Sequence, residues 1–354
     1  MTKKPLKISY IPVVPSEWSE ISKDLNFFET MSVGYEHWQT DKPPKPYRHA
    51  LISLIKLSTI ARETTMGYLR RMREQGELER LMFDSGGFQM FRDPSFTIER
   101  LIKENLWLYQ KHDWADAYVM PDRPPLPNDP YPVMQAKVES TINATKVIFD
   151  QLPEYIQKRC VPVFHVRNET DIDYQYEHYR DIIETSNLCC YAIPGTRKKL
   201  DYKNMKLMHS LVKKVNDTVK VHALGVASPH AVYCMEQIGI SSYDAVSPIF
   251  IAGTGMVQTF QASIDFSDRK PELSVSPEVI KQFQEESGHR CPFCDNLDKL
   301  YSKYRYRRLH NLIVFDEFNW FHRNTTMDKF SNMAPEMYEA LSQVLESNGQ
   351  LTLF

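Results

Sequence analysis

The chain has 354 residues, of which 42% are hydrophobic and 25% are charged, so it can bury one large core or two modest ones. No stretch approaches the roughly 20 consecutive apolar residues of a membrane-spanning helix, and residues 1–7 lack the apolar run of a secretory signal. A net charge of −2 excludes a polycation, so any nucleic-acid-binding surface must be a local patch. We therefore expect a globular cytoplasmic protein with no membrane partner.

Short apolar runs alternate with longer amphipathic segments, at the spacing of repeated strand and helix units. The predicted strands are 8–14, 50–55, 80–84, 117–120, 161–166, 188–193, 221–226 and 243–246. The predicted helices are 67–79, 98–112, 133–151, 174–186, 204–216 and 230–239. This pattern predicts an α/β fold, a (β/α)8 TIM barrel, with an open doubly wound sheet as the alternative. The proline-rich segment 121–130 is a candidate for a rigid lid.

Several predicted strands end on a polar residue or a glycine. The third strand leads into Asp84, Gly86, Gly87 and Phe88, which would bring a carboxylate, a close backbone approach and a flat ring to a pocket floor. The residues expected to face this pocket are Asp84, Asp122, His165, Gly195, Leu224, Gly225 and Asp244. Three carboxylates in one cleft require different protonation states or a donor-rich ligand, and guanine offers its N1–H and 2-amino group. Taken singly, a strand-end aspartate also suits a helix N-cap, and a histidine there suits the core.

A second cluster reads H-x-C-x2-C-x15-H and comprises His289, Cys291, Cys294 and His310. Two thiolates and two imidazoles complete a tetrahedral zinc site with no open position, so we expect a structural Zn2+ and no organic cofactor. The alternative is a pair of free cysteines in a loop. The other four cysteines, Cys160, Cys189, Cys190 and Cys234, do not form a disulfide framework for a chain of this size.

Cations interleaved with aromatic residues follow the cysteine pair. The cations are Lys299, Lys303, Arg305, Arg307 and Arg308. Such a segment suits phosphates and unstacked bases, although a solvated helix face has the same composition. We predict a barrel core at 1–270, an inserted or appended zinc-binding subdomain at 271–325, and a C-terminal helix at 326–354 that completes the barrel.

The order of these motifs resembles the tRNA-guanine transglycosylase superfamily over roughly residues 80–325. The resemblance is carried by Asp84-Ser85-Gly86-Gly87-Phe88-Gln89, Leu224-Gly225-Val226, Tyr243-Asp244-Ala245-Val246, the cysteine pair and His310-Asn311-Leu312. Members of the superfamily are zinc-bearing TIM barrels that exchange a guanine in nucleic acid for a 7-deazaguanine.

The resemblance implies roles for individual residues. Asp244 resembles the nucleophile and Asp84 its acid/base partner. Asp122 resembles the acceptor for the base edge, His165 stands in place of a base-contacting glutamine, and Gly195 offers a backbone N–H. Phe88 and Leu224, with Gly225 beside them, would sandwich the base.

Two departures from the family pattern favour DNA as the substrate. The arginines that usually follow the nucleophile are missing from residues 247–255. The usual glycine run ending in Gly-Glu is replaced by residues 194–200, which lack the glutamate that supports a cationic aminomethyl base, so the nitrile preQ0 is expected. The pattern is similar to the DNA-modifying branch found in phages and bacterial modification clusters, which would place the chain in the host cytoplasm if a phage encodes it.

Three alternatives stay open. The first is transglycosylation of tRNA. The second is a non-catalytic subunit that binds nucleic acid or a partner, against which the presence of both Asp84 and Asp244 argues. The third is a phosphate-binding barrel that uses Gly253, Thr254 and Gly255 as an anion nest. A homodimer also stays open.

Overall fold

The computed structural model describes residues 9–15, 18–33, 46–91, 93, 95–193, 200–215, 219–226, 228–260, 263–265, 278–323 and 325–347. In these ranges the strands are β1 (Ser9–Pro12), β2 (His49–Ile52), β3 (Arg80–Phe83), β4 (Ala117–Val119), β5 (Cys160–Val161), β6 (Val163–His165), β7 (Leu188–Ala192), β8 (Lys220–Leu224), β9 (Ser242–Ala245), β10 (Met256–Gln258) and β11 (Ser263–Asp265).

The helices in the same ranges are α1 (Trp18–Ser32), α2 (Thr59–Glu74), α3 (Ile98–Lys111), α4 (Tyr131–Gln151), α5 (Glu154–Gln157), α6 (Glu169–Ser186), α7 (Tyr202–Val215), α8 (Pro229–Gln237), α9 (Ser247–Gly253), α10 (Glu278–Ser287), α11 (Leu297–Ser302), α12 (Tyr304–Arg323), α13 (Met327–Met333) and α14 (Pro335–Glu346). A short 3-10 helix, Gly87–Phe91, follows β3. None of these described helices combines the length and the apolar character needed to traverse a lipid bilayer.

Strands β1 to β9 form a closed parallel barrel. Pairing runs through two sheets, in the orders β1-β9-β8-β7-β6 and β2-β3-β4-β5. The sheets join where Val13 pairs with Leu51, and again where β5 passes into β6 with only Pro162 between them. Proline has no N–H to donate, so it interrupts the ladder without ending the strand. Because β5 and β6 act as one barrel strand, the predicted (β/α)8 TIM barrel is confirmed.

Side chains alternate between the barrel interior and the surrounding helices, as the period of two along a strand requires. The interior core contains Ile11, Leu51, Met82, Ala117, Val119, Val161, Val163, Cys190 and Ala192. Outward side chains of the same strands, such as Phe83, Phe164 and Tyr191, pack beneath the helices. The interior is filled with side chains, so a pocket can form only at an end of the barrel.

Each predicted strand has a counterpart, whereas the helix boundaries differ from prediction. Helix α2 begins after Ser58, whose hydroxyl accepts a hydrogen bond from the Ala61 N–H, and it ends before Gly76, which has φ +73°. Helix α6 begins at Glu169 rather than 174, because Asn168 and Asp171 form a reciprocal capping box. The elements that were not predicted are the β10–β11 hairpin and helices α1, α5, α9, α10, α11 and α12.

The C-terminal helices pack on the barrel. Helix α12 contacts α1, α8, α9, β1 and β10, and α14 contacts α7, α8 and α13. The division of the chain at residues 270 and 325 stays a prediction.

Candidate active site and metal centre

The loop after β3 packs directly against Asp122. Gly86 has φ +76°, and a Cβ there would lie 2.9 Å from Cγ1 of Ile55. A Cβ on Gly87 would lie 2.2 Å from Oδ1 of Asp122 and 2.5 Å from its carbonyl oxygen, so no side chain fits at this position. We predicted that these glycines let the backbone approach a ligand. In the structure the close neighbour of Gly87 is Asp122, and the glycine pair brings that carboxylate near Asp84.

Both oxygens of Asp122 accept hydrogen bonds from protein groups. Oδ1 accepts from the Ser85 hydroxyl at 3.0 Å, and Oδ2 lies 2.9 Å from Nε2 of His165. A carboxylate without a proton only accepts, so we assign a proton to Nε2 of His165. Nδ1 of His165 is buried and has no hydrogen-bond partner among the described residues. A ligand that bonded this atom would remove the cost of an unpaired buried polar group.

Asp84 has the environment of an acid/base group. Burial, followed by the negative charges of Asp122 and Asp244, raises the pKa of Asp84 to about 6. Hydrogen bonds from Ser53 and from the Gly86 backbone oppose this shift in pKa. A carboxyl group with a pKa near neutrality can donate a proton in one step and accept one in the next.

The raised pKa predicts a stability cost that Asp84→Asn should remove. The folded pKa of about 6 exceeds the ordinary aspartate pKa of 3.8, so stability falls as pH rises through this interval. Above pH 6 we expect the variant to be more stable than the parent by about 1–3 kcal/mol, and below pH 4 the difference should vanish. Urea unfolding above pH 6 and below pH 4 measures this difference in stability. Asp150→Asn, which changes an exposed carboxyl on α4, should leave stability almost unchanged at either pH.

Asp244 lies on β9 at the same end of the barrel. Its Oδ1 accepts a hydrogen bond from the Gly225 N–H at 2.8 Å and lies 3.1 Å from Nε2 of His222. Nδ1 of His222 lies 2.8 Å from Oγ of Ser242. Neither His222 nor Ser242 was predicted as a site residue. The available signal was the alternation along β8, which places His222 on the inward face with Leu224.

The structure describes some of the remaining predicted base-binding residues but not all of them. Leu224 ends β8 and packs at the edge of the interior core. Phe88 lies on the 3-10 helix, with its ring centroid 5.4 Å from that of Phe91. Gly195 and residues 194–199 lie outside the described residues. The sandwiching of a base by Phe88 and Leu224 stays a prediction.

The four predicted metal ligands meet in one buried cluster. One ligand atom from each of His289, Cys291, Cys294 and His310 lies within 4.8 Å of the others. Nδ1 of His310 lies 3.0 Å from Sγ of Cys294 and 3.4 Å from Sγ of Cys291. Nε2 of His289 is buried and has no hydrogen-bond partner among the described residues. Two sulfur and two nitrogen donors in this arrangement can hold a metal ion, and they suit Zn2+.

Neighbouring groups orient both imidazoles of the cluster. Nδ1 of His289 lies 2.6 Å from Oε2 of Glu317, and Nε2 of His310 lies 2.9 Å from the carbonyl oxygen of Gln258. These contacts leave the opposite ring nitrogens to face the metal. Asn311 accepts a hydrogen bond from the Gln258 N–H at 2.7 Å and donates to the Pro248 carbonyl at 3.3 Å. The cluster is thereby tied to α9, which directly follows the strand of Asp244. Sequence reasoning missed Glu317.

The five predicted phosphate-binding cations lie in different surroundings. Lys299 and Lys303 are exposed, and Arg305 is part-buried, with Nε 3.3 Å from Oδ1 of Asp24. Arg307 donates to the carbonyls of Ala252, Leu300 and Tyr301. Arg308 is buried and ion-paired with Asp24, and burial lowers its pKa to about 10. The last two guanidinium groups are therefore engaged within the fold.

The chain is similar to queuine tRNA-ribosyltransferases from three strains of Clostridium perfringens, SM101, ATCC 13124 and 13. It is 22% identical to them over 284 residues, and the alignment covers 67% of this chain and 69% of each relative. No protein-family model matches the chain. This distant similarity agrees with the resemblance of the sequence motifs to the tRNA-guanine transglycosylase superfamily.

Proposed function

We propose that this protein is a base-exchange transglycosylase that replaces guanine in DNA by a 7-deazaguanine, preQ0. One observation carries the proposal. The carboxyl group of Asp84 is buried and lies close to two other carboxylates, Asp122 and Asp244, and burial together with their charges raises its pKa to about 6. The similarity to enzymes named queuine tRNA-ribosyltransferases supports guanine transglycosylase activity in general.

The proposed reaction assigns a separate task to each carboxyl group. Cleavage of the N-glycosidic bond gives C1′ oxocarbenium character, and Asp244 attacks C1′ to form a covalent glycosyl ester. Asp84 donates a proton to the departing guanine. It then accepts a proton from the incoming 7-deazaguanine, whose nitrogen attacks C1′ and releases Asp244 with net retention. The exchange needs no nucleoside triphosphate and no organic cofactor.

The base would bind on the other side of the same pocket. Asp122 would accept hydrogen bonds from N1–H and the 2-amino group, because each of its oxygens has a lone pair beyond those used by Ser85 and His165. The unpaired buried Nδ1 of His165 supplies a further contact. Phe88 and Leu224 would cover the two faces of the ring.

Asp122→Ala should weaken binding of guanine and preQ0 by about 1.5–3 kcal/mol, the scale of a hydrogen bond to a charged group. Calorimetric titration with guanine, preQ0 and hypoxanthine measures the effect. Hypoxanthine lacks the 2-amino group, so the variant should also lose much of the preference for guanine over hypoxanthine. Asp150→Ala is the matched control on an exposed helix face. An unaltered preference in Asp122→Ala would contradict the role of Asp122.

The surface beside the nucleophile favours DNA. Helix α9 begins three residues after Asp244, and residues 247–255 contain no arginine. Val246 and Phe250 are instead 54% and 67% exposed. Exposed apolar side chains can insert between base steps and support a nucleotide that has left its stack. The exposed Lys299 and Lys303, with the part-buried Arg305, would contact phosphates.

Nucleoside analysis of DNA and tRNA, from cells that express the protein with a preQ0 supply, tests the polymer. We expect 7-deazaguanine in DNA. In vitro, single-stranded or locally melted DNA should react faster than duplex DNA, because less unstacking is required. Lys299→Ala with Lys303→Ala should flatten the slope of log K against log salt by up to about one unit for each phosphate that a lysine no longer neutralises. Lys158→Ala with Lys220→Ala changes exposed lysines near the opposite strand ends and should leave the slope unchanged.

Transglycosylation of tRNA is the second candidate, and the name of the Clostridium perfringens relatives favours it. Label that enters tRNA but never DNA would overturn the DNA assignment and keep the mechanism. A non-catalytic binding subunit would give no covalent band on a denaturing gel with any guanine-containing polymer.

A further inference from the structure

We infer that His222 is a positioning residue that aims the carboxylate of Asp244, and that Ser242 sets the tautomer of His222. The inference rests on the proposed function, in which Asp244 is the nucleophile. Strands β8 and β9 pair in parallel with His222 opposite Ser242, and Asp244 lies two residues further along β9. All three side chains are buried. Residues two apart share a face of a strand, so the imidazole lies between the hydroxyl and the carboxylate.

The direction of the two hydrogen bonds follows from the chemistry of the end groups. Nε2 of His222 lies 3.1 Å from Oδ1 of Asp244, and an ionised carboxylate only accepts, so we assign the proton to Nε2. In the neutral ring Nδ1 is then an acceptor. The Ser242 hydroxyl, at 2.8 Å, can rotate to donate to it. With alanine in place of Ser242, this buried nitrogen would lose its donor and the tautomer would no longer be fixed.

The consequence concerns which oxygen of Asp244 reacts. Oδ1 accepts from two donors, His222 Nε2–H and the Gly225 N–H at 2.8 Å. Both of these hydrogen bonds are made to Oδ1 and neither to Oδ2. Two donors on one oxygen fix the rotation of the carboxylate, so Oδ2 is the atom held toward C1′. A nucleophile pre-set in this way needs less reorganisation when the glycosidic bond breaks.

A purely structural histidine makes different predictions. His222 is fully buried inside the barrel, so it could act mainly as a filler of that volume. Leucine fills a similar volume and donates nothing, whereas glutamine can present an N–H near the position of Nε2. Comparison of these two replacements separates packing from hydrogen bonding.

The experiment measures three quantities for the parent, His222→Leu, His222→Gln, Ser242→Ala and the double variant His222→Gln/Ser242→Ala. They are the single-turnover rate of covalent adduct formation, the affinity for guanine and the melting temperature. Since the hydrogen bond carries charge, we expect His222→Leu to slow adduct formation about 10- to 100-fold with guanine affinity unchanged. His222→Gln should stay within about 5-fold of the parent, because the donor is restored.

The serine supplies the sharpest comparison. Ser242→Ala alone should slow adduct formation about 3- to 10-fold, whereas in the His222→Gln background it should change the rate less than about 2-fold, because glutamine has no tautomer to fix. Unchanged adduct formation in His222→Leu would overturn the inference, as would His222→Gln reacting as slowly as His222→Leu. If the parent forms no adduct with any polymer, the proposed function fails, and with it this role of His222.

Discussion

Asp244→Asn should abolish base exchange, with a fall of at least ~10³-fold, because an amide cannot form the glycosyl ester. The folded structure should survive. The amide oxygen of asparagine can still accept from the Gly225 N–H and from His222, which now contact Oδ1 of Asp244. The amide nitrogen then takes the place of Oδ2, the oxygen that we propose reacts. Exchange of radiolabelled guanine measures the loss of base exchange, and a denaturing gel measures the loss of the covalent adduct.

Asp84→Asn is the matched comparison. It removes the proposed acid for the departing guanine but leaves the proposed nucleophile in place, so exchange should be slow while some adduct still forms. Calorimetric titration should show that Asp244→Asn binds guanine as the parent does. Turnover by Asp244→Asn at the parental rate would exclude Asp244 as the nucleophile.

The second large effect that we expect is a loss of stability when the metal is removed. We expect about one Zn2+ per purified chain, and Cys291→Ser or Cys294→Ser should lower the free energy of unfolding by about 4 kcal/mol or more. The physical reason is that a metal bound by His310 would hold this residue and Asn311 against β10 and α9, so loss of the metal should weaken these contacts. Elemental analysis and urea unfolding, before and after chelation, measure this effect. Zinc with four protein ligands has no open position for a substrate, so activity should fall only with the folded fraction.

Two variants control for the chemistry of the replacement. Cys160→Ser changes a buried cysteine outside the cluster, whose thiol donates to the Ile156 carbonyl at 3.6 Å, and should keep its metal. Glu317→Gln weakens the support of His289 and should reduce metal affinity about 10- to 100-fold. Metal-free protein of parental stability would contradict a structural role for the cluster. Parental zinc content in His289→Ala would show that His289 is not required.

Local patterns in the sequence were sufficient for the barrel and for the metal cluster. Apolar runs ending on polar residues predict parallel strands with functional groups at their carboxyl ends, because side-chain alternation and helix spacing are short-range properties. The spacing of His289, Cys291 and Cys294 puts three donors in one loop, so only His310 had to come from elsewhere. The aspartates were likewise identified from their positions within or just beyond the carboxyl ends of predicted strands.

Contacts between distant segments required the tertiary structure. Arg308 was predicted to meet phosphate, yet it is buried against Asp24, 284 residues away. Gly87 lies against Asp122, and His222 bonds Asp244 across two strands, because barrel closure sets which residues become neighbours. The pKa of about 6 at Asp84 also depends on burial and on the charges of Asp122 and Asp244. A sequence period identifies the inward face of a strand, but only the register of the paired strands decides which inward groups become neighbours. Those neighbours then shift the pKa values of the titratable groups.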